Sequence, residues 1–206
     1  MKSGILICMV MLISVSASIA QQASAQKIEG TPYLDEKYVD GEIFFGESAR
    51  TKVPVRYNIY QDLIEYQQNG KALVVDPSTK IKKVQMGDIT FIVEKLTVGG
   101  KAKYGFLNLL DSGKVTLYSR KMMRYQEAIK GRALDGGDVP AKFARMSDEY
   151  FYKIGTGELK EVGNLKELIA SLPDKQEEIK QYAKQEKISP KKEEELRQLI
   201  QYYNSL

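Results

Sequence analysis

The middle of the chain alternates short β-branched and aromatic segments with turn residues, and this regular pattern constrains the fold more than any other feature. Residues 53–66 are the densest of these segments. Apolar side chains alternate there with polar ones, namely Val53, Val55, Tyr57 and Ile59 against Arg56, Asn58 and Tyr60. Period-2 alternation is typical of a strand with one buried face. We therefore predict that a strand and its hairpin partner lie within this segment.

Turn signals follow at short and regular intervals after residue 66. They are Asn69-Gly70, Gly87-Asp88, Gly99-Gly100 and Asp111-Ser112-Gly113. Strands joined by two to four residues are antiparallel neighbours, because a parallel return needs a crossover of about a dozen residues. The pattern predicts an antiparallel β-meander over residues 31–163, in a curved sheet or a partial barrel.

The period of the apolar residues changes from 2 to 3.6 over residues 164–206, which predicts helices. Three helix starts are marked by Asn164, by Asp174 with Glu177 three residues later, and by Ser189 followed by Pro190. These are N-cap, capping-box and first-turn proline signals. We expect short C-terminal helices packed on or beside the sheet, which places the chain in the α+β class.

Residues 122–148 interrupt the strand pattern. The segment contains Gly131, Asp135-Gly136-Gly137-Asp138 and Pro140. Such composition predicts a long loop, and long loops within compact domains are usually functional or mobile.

The first twenty residues have the pattern of a secretory signal peptide. Lys2 precedes an apolar run over residues 5–13 and a small-residue segment over residues 14–20. The apolar run is shorter than the ~20 residues that a membrane span needs. We predict cleavage after Ala20 or Ala25, a flexible spacer over residues 21–30, no transmembrane helix after cleavage, and a periplasmic or outer-membrane-associated location.

The composition excludes several classes of chemistry. The chain contains no histidine, and its single cysteine, Cys8, lies in the predicted signal peptide. The exported part therefore has no thiol nucleophile, no Ser-His-acid triad and no zinc site of the His or Cys type. We predict neither cofactor nor metal. Removal of Lys2 leaves 30 basic against 27 acidic residues, and this near-neutral balance disfavours a nucleic-acid partner.

Two groups of side chains are candidates for binding. Arg56, Asn58 and Tyr60 share one strand face, and Glu65 is expected near them across the turn. This polar patch is a candidate ligand site, although cross-strand Arg-Glu pairs on a solvated sheet face are also common.

The second group lies between Lys101 and Arg132. This segment contains eight basic residues but only two acidic ones, Asp111 and Glu127. Its arginines are Arg120, Arg124 and Arg132. We expect such a region to dock an anionic envelope component or an acidic partner protein. Charged solvent faces of strands give the same pattern.

Several stretches of the exported part resemble a family of exported Bacteroidota proteins of uncharacterised function. They are Gly30-Thr31-Pro32-Tyr33-Leu34, residues 53–60 with Glu65, Gly87-Asp88-Ile89-Thr90-Phe91, Pro140-Ala141-Lys142-Phe143, Asp148-Glu149-Tyr150-Phe151-Tyr152 and Tyr202-Tyr203-Asn204-Ser205-Leu206. The resemblance implies a periplasmic or envelope location and brings no activity, cofactor or site.

Three functions are compatible with the sequence. The main hypothesis is a non-enzymatic binding or adaptor module that contacts an envelope component through the sheet face or through residues 122–148. A carboxylate-based glycan or peptidoglycan hydrolase is the second, since Asp62, Glu65, Asp76, Asp88 and Asp111 are available. The third is a periplasmic lipid carrier in which a curved sheet holds acyl chains against the helices.

Overall fold

A computed structural model of the protein describes residues 28–46, 49–77, 81–98, 100–131 and 137–206. The predicted signal peptide, Cys8, the spacer up to residue 27, Arg132, Asp135 and Gly136 lie outside the described residues. No helix among the described residues is both long enough and apolar enough to cross a membrane.

The main element is a ten-stranded antiparallel sheet. Its strands are β1 (Val39–Phe45), β2 (Ala49–Asn58), β3 (Leu63–Gln68), β4 (Lys71–Val74), β5 (Ile81–Met86), β6 (Ile89–Val98), β7 (Lys101–Asp111), β8 (Val115–Arg120), β11 (Glu149–Ile154) and β12 (Lys160–Glu161). They are arranged in the order β12-β11-β8-β7-β6-β5-β1-β2-β3-β4, so that β12 and β4 are the edges of an open sheet. The predicted α+β class with a curved antiparallel sheet is confirmed.

The order departs from a simple meander at one point, since β5 pairs with β1 rather than with β4. The connection after β4 carries the chain back to the far side of β1. Val75 and Ile81, which flank it, are both buried in the same core cluster as Ile43 of β1. The pairing of Ile81 with Phe45 places the start of β5 beside β1.

The sheet curves strongly between β2 and β8. These strands are five places apart in the sheet, or about 24 Å in a flat one. Nevertheless Asp62, in the turn after β2, contacts Arg120 at the end of β8 with an N–O distance of 2.9 Å. Inside the curve lies a core cluster in which the rings of Tyr57 and Phe91 are 4.8 Å apart.

Local turn chemistry matches the sequence at the hairpin between β3 and β4. Asn69 and Gly70 have φ values of 52° and 73°. Positive φ at both central residues is what a two-residue hairpin turn with the twist of its strands requires. The predicted Asn-Gly hairpin is confirmed.

Three helices follow the sheet: α1 (Leu165–Ser171), α2 (Gln176–Gln185) and α3 (Glu193–Ser205). Asn164 caps α1 as predicted, because its side-chain oxygen accepts a hydrogen bond from the Glu167 amide at 2.9 Å.

The other two predicted caps are wrong. Asp174 accepts a hydrogen bond from the Tyr203 hydroxyl at 2.9 Å, and Lys175 takes the cap position of α2 in a left-handed conformation. The last helix starts at Glu193 rather than at Pro190, and Lys192 takes its cap position. The Ser189 hydroxyl accepts a hydrogen bond from the Lys191 amide at 3.3 Å, in the turn that precedes the helix.

The helices cover β8 and β11 through a second core cluster. Leu117 and Tyr152 from the sheet meet Leu196 and Tyr203 of α3 in this cluster. The end of α3 is fixed by Asn204, whose side chain accepts from the Val115 amide at 2.9 Å and donates to the Val115 carbonyl at 2.8 Å. The predicted helical segment therefore packs on one end of the sheet.

Residues 122–148 contain more structure than a loop. Two short strands, β9 (Met123–Gln126) and β10 (Lys142–Arg145), pair antiparallel and form a separate two-stranded sheet. Beyond them, Ile129 and Val139 exchange two backbone hydrogen bonds of 2.9 Å. The Met146 amide also donates to the Met122 carbonyl at 3.0 Å. We call this element, residues 122–131 and 137–146, the β9–β10 hairpin.

Candidate functional site

The predicted binding residues that the structure describes fall into four places. Arg56 and Glu65 face each other across β2 and β3, Arg120 lies at the end of β8, and Arg124 lies on β9. β2 ends at Asn58, and Tyr60 lies in the turn before β3, so the prediction that Tyr60 shares a strand face with Arg56 and Asn58 is wrong. Arg132 lies outside the described residues. The seven residues therefore do not form one site.

Arg56 is enclosed by partners from its own chain. Its Nε and Nη2 atoms lie 2.8 Å and 2.7 Å from Glu65 Oε2. Its guanidinium carbon is 3.8 Å from the ring centroid of Tyr33 and 4.4 Å from that of Tyr38. An arginine between two aromatic rings and a carboxylate has few directions left in which to bind a ligand.

The hydroxyl groups of the two tyrosines complete this cluster. Tyr33 and Tyr38 donate to the Glu65 carboxylate at 3.3 Å and 3.1 Å, and Arg56 Nη2 donates to the Tyr33 hydroxyl at 2.9 Å. Burial, together with the nearby Glu65 charge, raises the pKa of both tyrosines. We call Tyr33, Tyr38, Arg56 and Glu65 the Arg56 cluster.

Asn58 and Tyr60 have different environments although they are two residues apart. Asn58 is buried, and its side chain accepts from the Gln61 amide at 3.0 Å, which stabilises the turn. Tyr60 is 48% exposed, and its ring lies 5.3 Å from Phe143 and 6.3 Å from Tyr125 of the β9–β10 hairpin. Asn58 therefore has a structural role, whereas Tyr60 contacts the hairpin.

Arg120 is the centre of a buried charge cluster. Its Nη2 lies 2.9 Å from Asp62 Oδ2 and its Nη1 lies 3.3 Å from Glu149 Oε2. Burial lowers the pKa of Arg120, but the charges of Asp62 and Glu149 more than offset this effect, so that the pKa is raised. Asp62 also accepts from the Tyr57 hydroxyl at 2.8 Å, and burial followed by the Asp62 charge raises the pKa of Tyr57. We call Tyr57, Asp62, Arg120 and Glu149 the Arg120 cluster.

A second ion-pair network lies beside the Arg120 cluster in the sequence, at Lys121, which follows Arg120, and at Asp148, which precedes Glu149. Lys121 Nζ is 2.8 Å from both Asp148 Oδ2 and Glu193 Oε2, and Asp148 also pairs with Arg145 at 3.0 Å. The network joins β8, the β9–β10 hairpin and the first turn of α3. Sequence analysis did not identify it, although Arg120-Lys121 and Asp148-Glu149 are complementary dipeptides.

These contacts bear on the hydrolase hypothesis for two of its five candidate carboxylates. Asp62 and Glu65 are the carboxylates closest to the predicted patch, and each has its charge balanced by an arginine. Both side chains are largely buried, 10% and 14% exposed, and the paired arginines occupy carboxylate oxygens that a substrate would otherwise approach. Within the described ranges, no group of three or more acidic side chains is arranged to hold a metal ion.

The β9–β10 hairpin has two different faces. Cross-strand pairing places Met123, Tyr125, Phe143 and Arg145 on one face. This face lies against the body of the protein, because Met123 packs on the core and the two rings contact Tyr60. The opposite face carries Arg124 and Lys142, both of which are exposed. In the described part of the chain, Arg124 has no ion pair.

Exposed apolar side chains are concentrated in the same place. Eleven large hydrophobic side chains are exposed among the described residues, and six of them lie on this hairpin or on the two segments that contact it. The six are Ile28, Tyr60, Tyr125, Ile129, Val139 and Met146. Contiguous apolar surface beside polar residues is typical of protein interaction sites.

The chain matches no protein-family model, no curated protein and no solved structure in the three comparisons. The predicted resemblance to an exported Bacteroidota family therefore depends on the quoted sequence segments alone.

Proposed function

We propose that this protein is a non-enzymatic binding module of the bacterial cell envelope, and that the β9–β10 hairpin contacts an envelope protein with an acidic surface. The observation that carries the proposal is the group of exposed apolar side chains on and beside this hairpin, next to basic side chains that have no ion pair with any described residue. We call Arg124, Ile129, Val139, Lys142 and Met146 the hairpin surface.

Charge supports an acidic partner. Among the described residues of the hairpin, Arg124, Lys130 and Lys142 are exposed basic side chains. Glu127 is exposed, and the carboxylate of Asp138 already accepts a hydrogen bond from the Gly131 amide at 3.0 Å. Complementary charge speeds association and excludes like-charged partners, while apolar contacts contribute affinity.

The way the hairpin is held also supports a binding role. Edge-on and tilted contacts among the rings of Tyr60, Tyr125 and Phe143, together with the pair between Arg145 and Asp148, fix its inner face to the body. A binding element whose inner face is packed loses less conformational entropy when a partner binds. The exported location that the N-terminus predicts would place this surface in the envelope.

Charge reversal on the hairpin tests the proposal. We expect the variant Arg124→Glu/Lys142→Glu to lose the envelope protein that co-purifies with the parent after cross-linking in intact cells. The matched control is Lys71→Glu/Lys82→Glu, which reverses two exposed lysines on β4 and β5. Circular dichroism melting of both variants checks that each is folded.

Retention of the same partner by the hairpin variant would contradict the proposal. Loss of the partner from both variants would also contradict it, because the effect would then follow net charge rather than position.

The predicted export and signal-peptide cleavage are tested separately. Amino-terminal sequencing of the protein from the envelope fraction is expected to begin at Gln21 or Gln26, the residues after the two predicted cleavage sites. A chain that keeps Met1 and stays in the cytoplasm would contradict an envelope function.

A further inference from the structure

A groove of about 630 Å³ lies on the helical layer, away from the hairpin surface. It is lined by α1, by α2 and by Lys187 and Ile188 of the segment that follows α2. Its apolar lining comes from Leu165, Ile169, Ala170, Ala183 and Ile188. The volume is within the range of about 300–1,000 Å³ that is usual for pockets that hold one small molecule.

Two alanines create this space. Ala170 is exposed on α1, and Ala183 is almost fully buried on α2. Because neither side chain extends beyond Cβ, the two helices leave a groove between them, whose base includes the buried Ile169 and Ile188. The groove thus has apolar walls that a flexible acyl chain can follow.

Lysines surround the groove on both sides. Lys166 comes from α1, Lys180 and Lys184 from α2, and Lys187 from the segment after α2. The only acidic residue in the lining is Glu177, which lies 3.3 Å from Lys180. Within the described residues, Lys166, Lys184 and Lys187 have no ion pair with a carboxylate.

We propose that this groove binds a single long-chain fatty acid, with its carboxylate at the lysines and its acyl chain along the apolar lining. The combination of an apolar lining and cationic rim matches an anionic amphiphile, because each part of the ligand meets its complement. One acyl chain suits the volume better than a two-chain phospholipid. The site is independent of the hairpin surface and of its protein partner.

A chain-length series tests the mode of binding. The exported form of the protein, residues 21–206, is titrated by calorimetry with saturated fatty acids below their micellar concentrations. Each CH₂ group that becomes buried is expected to strengthen binding about fourfold until the groove is filled, after which affinity levels off. The fatty alcohol of the same length is expected to bind at least tenfold more weakly. Affinity that does not depend on chain length, or equal binding of acid and alcohol, would overturn the proposal.

Two pairs of variants test the location. Ala170→Phe fills the groove from an exposed position and is expected to weaken fatty-acid binding more than tenfold, whereas Ala170→Ser leaves it unchanged. Lys166→Gln/Lys184→Gln is expected to weaken the acid but not the alcohol. Lys71→Gln/Lys82→Gln makes the same charge change elsewhere and serves as its control. Full binding by the Ala170→Phe variant would overturn the assignment, provided that its melting temperature is unchanged.

Vesicle binding and ligand displacement distinguish a fatty acid from two other occupants of the groove, a membrane surface and a helical peptide. Binding to vesicles of anionic phospholipid without binding to monomeric fatty acid would indicate a membrane-adsorbing surface and would overturn the proposal. Displacement of a bound fluorescent fatty acid by excess unlabelled fatty acid, but not by an acidic amphipathic helical peptide, would support it. Displacement by the peptide alone would overturn it. Failure of any of these tests leaves the hairpin experiment unaffected, because the two sites share no residue.

Discussion

Arg56 and Arg120 are both paired with carboxylates, but the two clusters depend on the fold in different ways. Arg56 meets Glu65, nine residues away, on the neighbouring strand of the same hairpin. Arg120 meets Asp62, which is 58 residues away, only because the sheet curves between β2 and β8. The first pair is a local consequence of strand register, whereas the second one holds distant parts of the sheet together.

Arg120, which makes the long-range pair, is also the more buried of the two arginines. The side chain of Arg56 is 21% exposed and that of Arg120 is 10% exposed. A buried charge that loses its partner costs more than one that water reaches. Arg124 is a third case, because it is exposed and has no ion pair in the described part of the chain. The first two arginines therefore stabilise the fold, and Arg124 is the one whose role in binding we propose.

The largest expected effect comes from Asp62→Asn. The amide keeps the size of the side chain and tolerates the positive φ of 56° at this position, but it removes the charge that balances Arg120. We expect the free energy of unfolding to fall by about 3 kcal/mol, as measured by urea denaturation. Asp88→Asn, at an exposed turn, is the control and should change stability by less than about 0.5 kcal/mol.

Glu65→Gln should have a smaller effect in the same assay. It removes the carboxylate from Arg56, but the rings of Tyr33 and Tyr38 still cover the guanidinium, and water reaches part of it. We expect a loss of about 2 kcal/mol. A loss larger than that caused by Asp62→Asn would contradict the comparison between the clusters.

Alkaline pH provides a third comparison. Burial raises the pKa of Tyr57 in the folded protein above its ordinary value of about 10, so that the fold binds this proton more tightly than the unfolded chain does. The resulting stability is complete below pH 10 and is lost as the pH rises above it. The free energy of unfolding should decrease between pH 9 and pH 11. In the Tyr57→Phe variant we expect this decrease to be smaller by about 1.4 kcal/mol.

Tyr33→Phe is the matched measurement in the Arg56 cluster. The pKa of Tyr33 is raised mainly by burial, with a further contribution from Glu65, but this side chain is less enclosed than Tyr57. We expect Tyr33→Phe to flatten the pH dependence less than Tyr57→Phe does. The reverse order would show that the Arg120 cluster is not the more buried of the two in solution.

The smallest expected effect is that of Lys103→Gln. Lys103 is 46% exposed and lies 3.7 Å from Asp62, which is farther than the three hydrogen bonds that Asp62 accepts from Arg120 and Tyr57. Exposed ion pairs contribute little because water and salt screen them. We expect a change below about 0.5 kcal/mol. A change above about 1 kcal/mol would mean that the cluster depends on Lys103 as a third essential charge.

The same distinction explains how much of the fold was predictable. The Asn69-Gly70 turn and the Asn164 cap follow from chemistry within a few residues, and both are confirmed. The proximity of Glu65 and Arg56 follows from one hairpin and is likewise confirmed. The pair between Arg120 and Asp62 was missed, because the curvature of the sheet is set by many side chains together.

The candidate binding element was only partly predictable. Residues 122–148 were identified as unusual, but β9 and β10 are four residues each and are separated by residues 127–141, so that no alternation pattern marks them. The pairing of β5 with β1 was not predicted either, because no local sequence pattern marks it. Short turns predict neighbouring strands well, whereas pairing across longer separations depends on the whole core.

The most direct test of the hairpin as the binding element is site-specific photo-cross-linking in intact cells. A photoreactive amino acid replaces Arg124 in one variant and Lys82, an exposed residue of β5, in the other. The account predicts a discrete adduct with an envelope protein from position 124 and none from position 82. An adduct from position 82 alone, or no adduct from position 124 at parental expression levels, would contradict it.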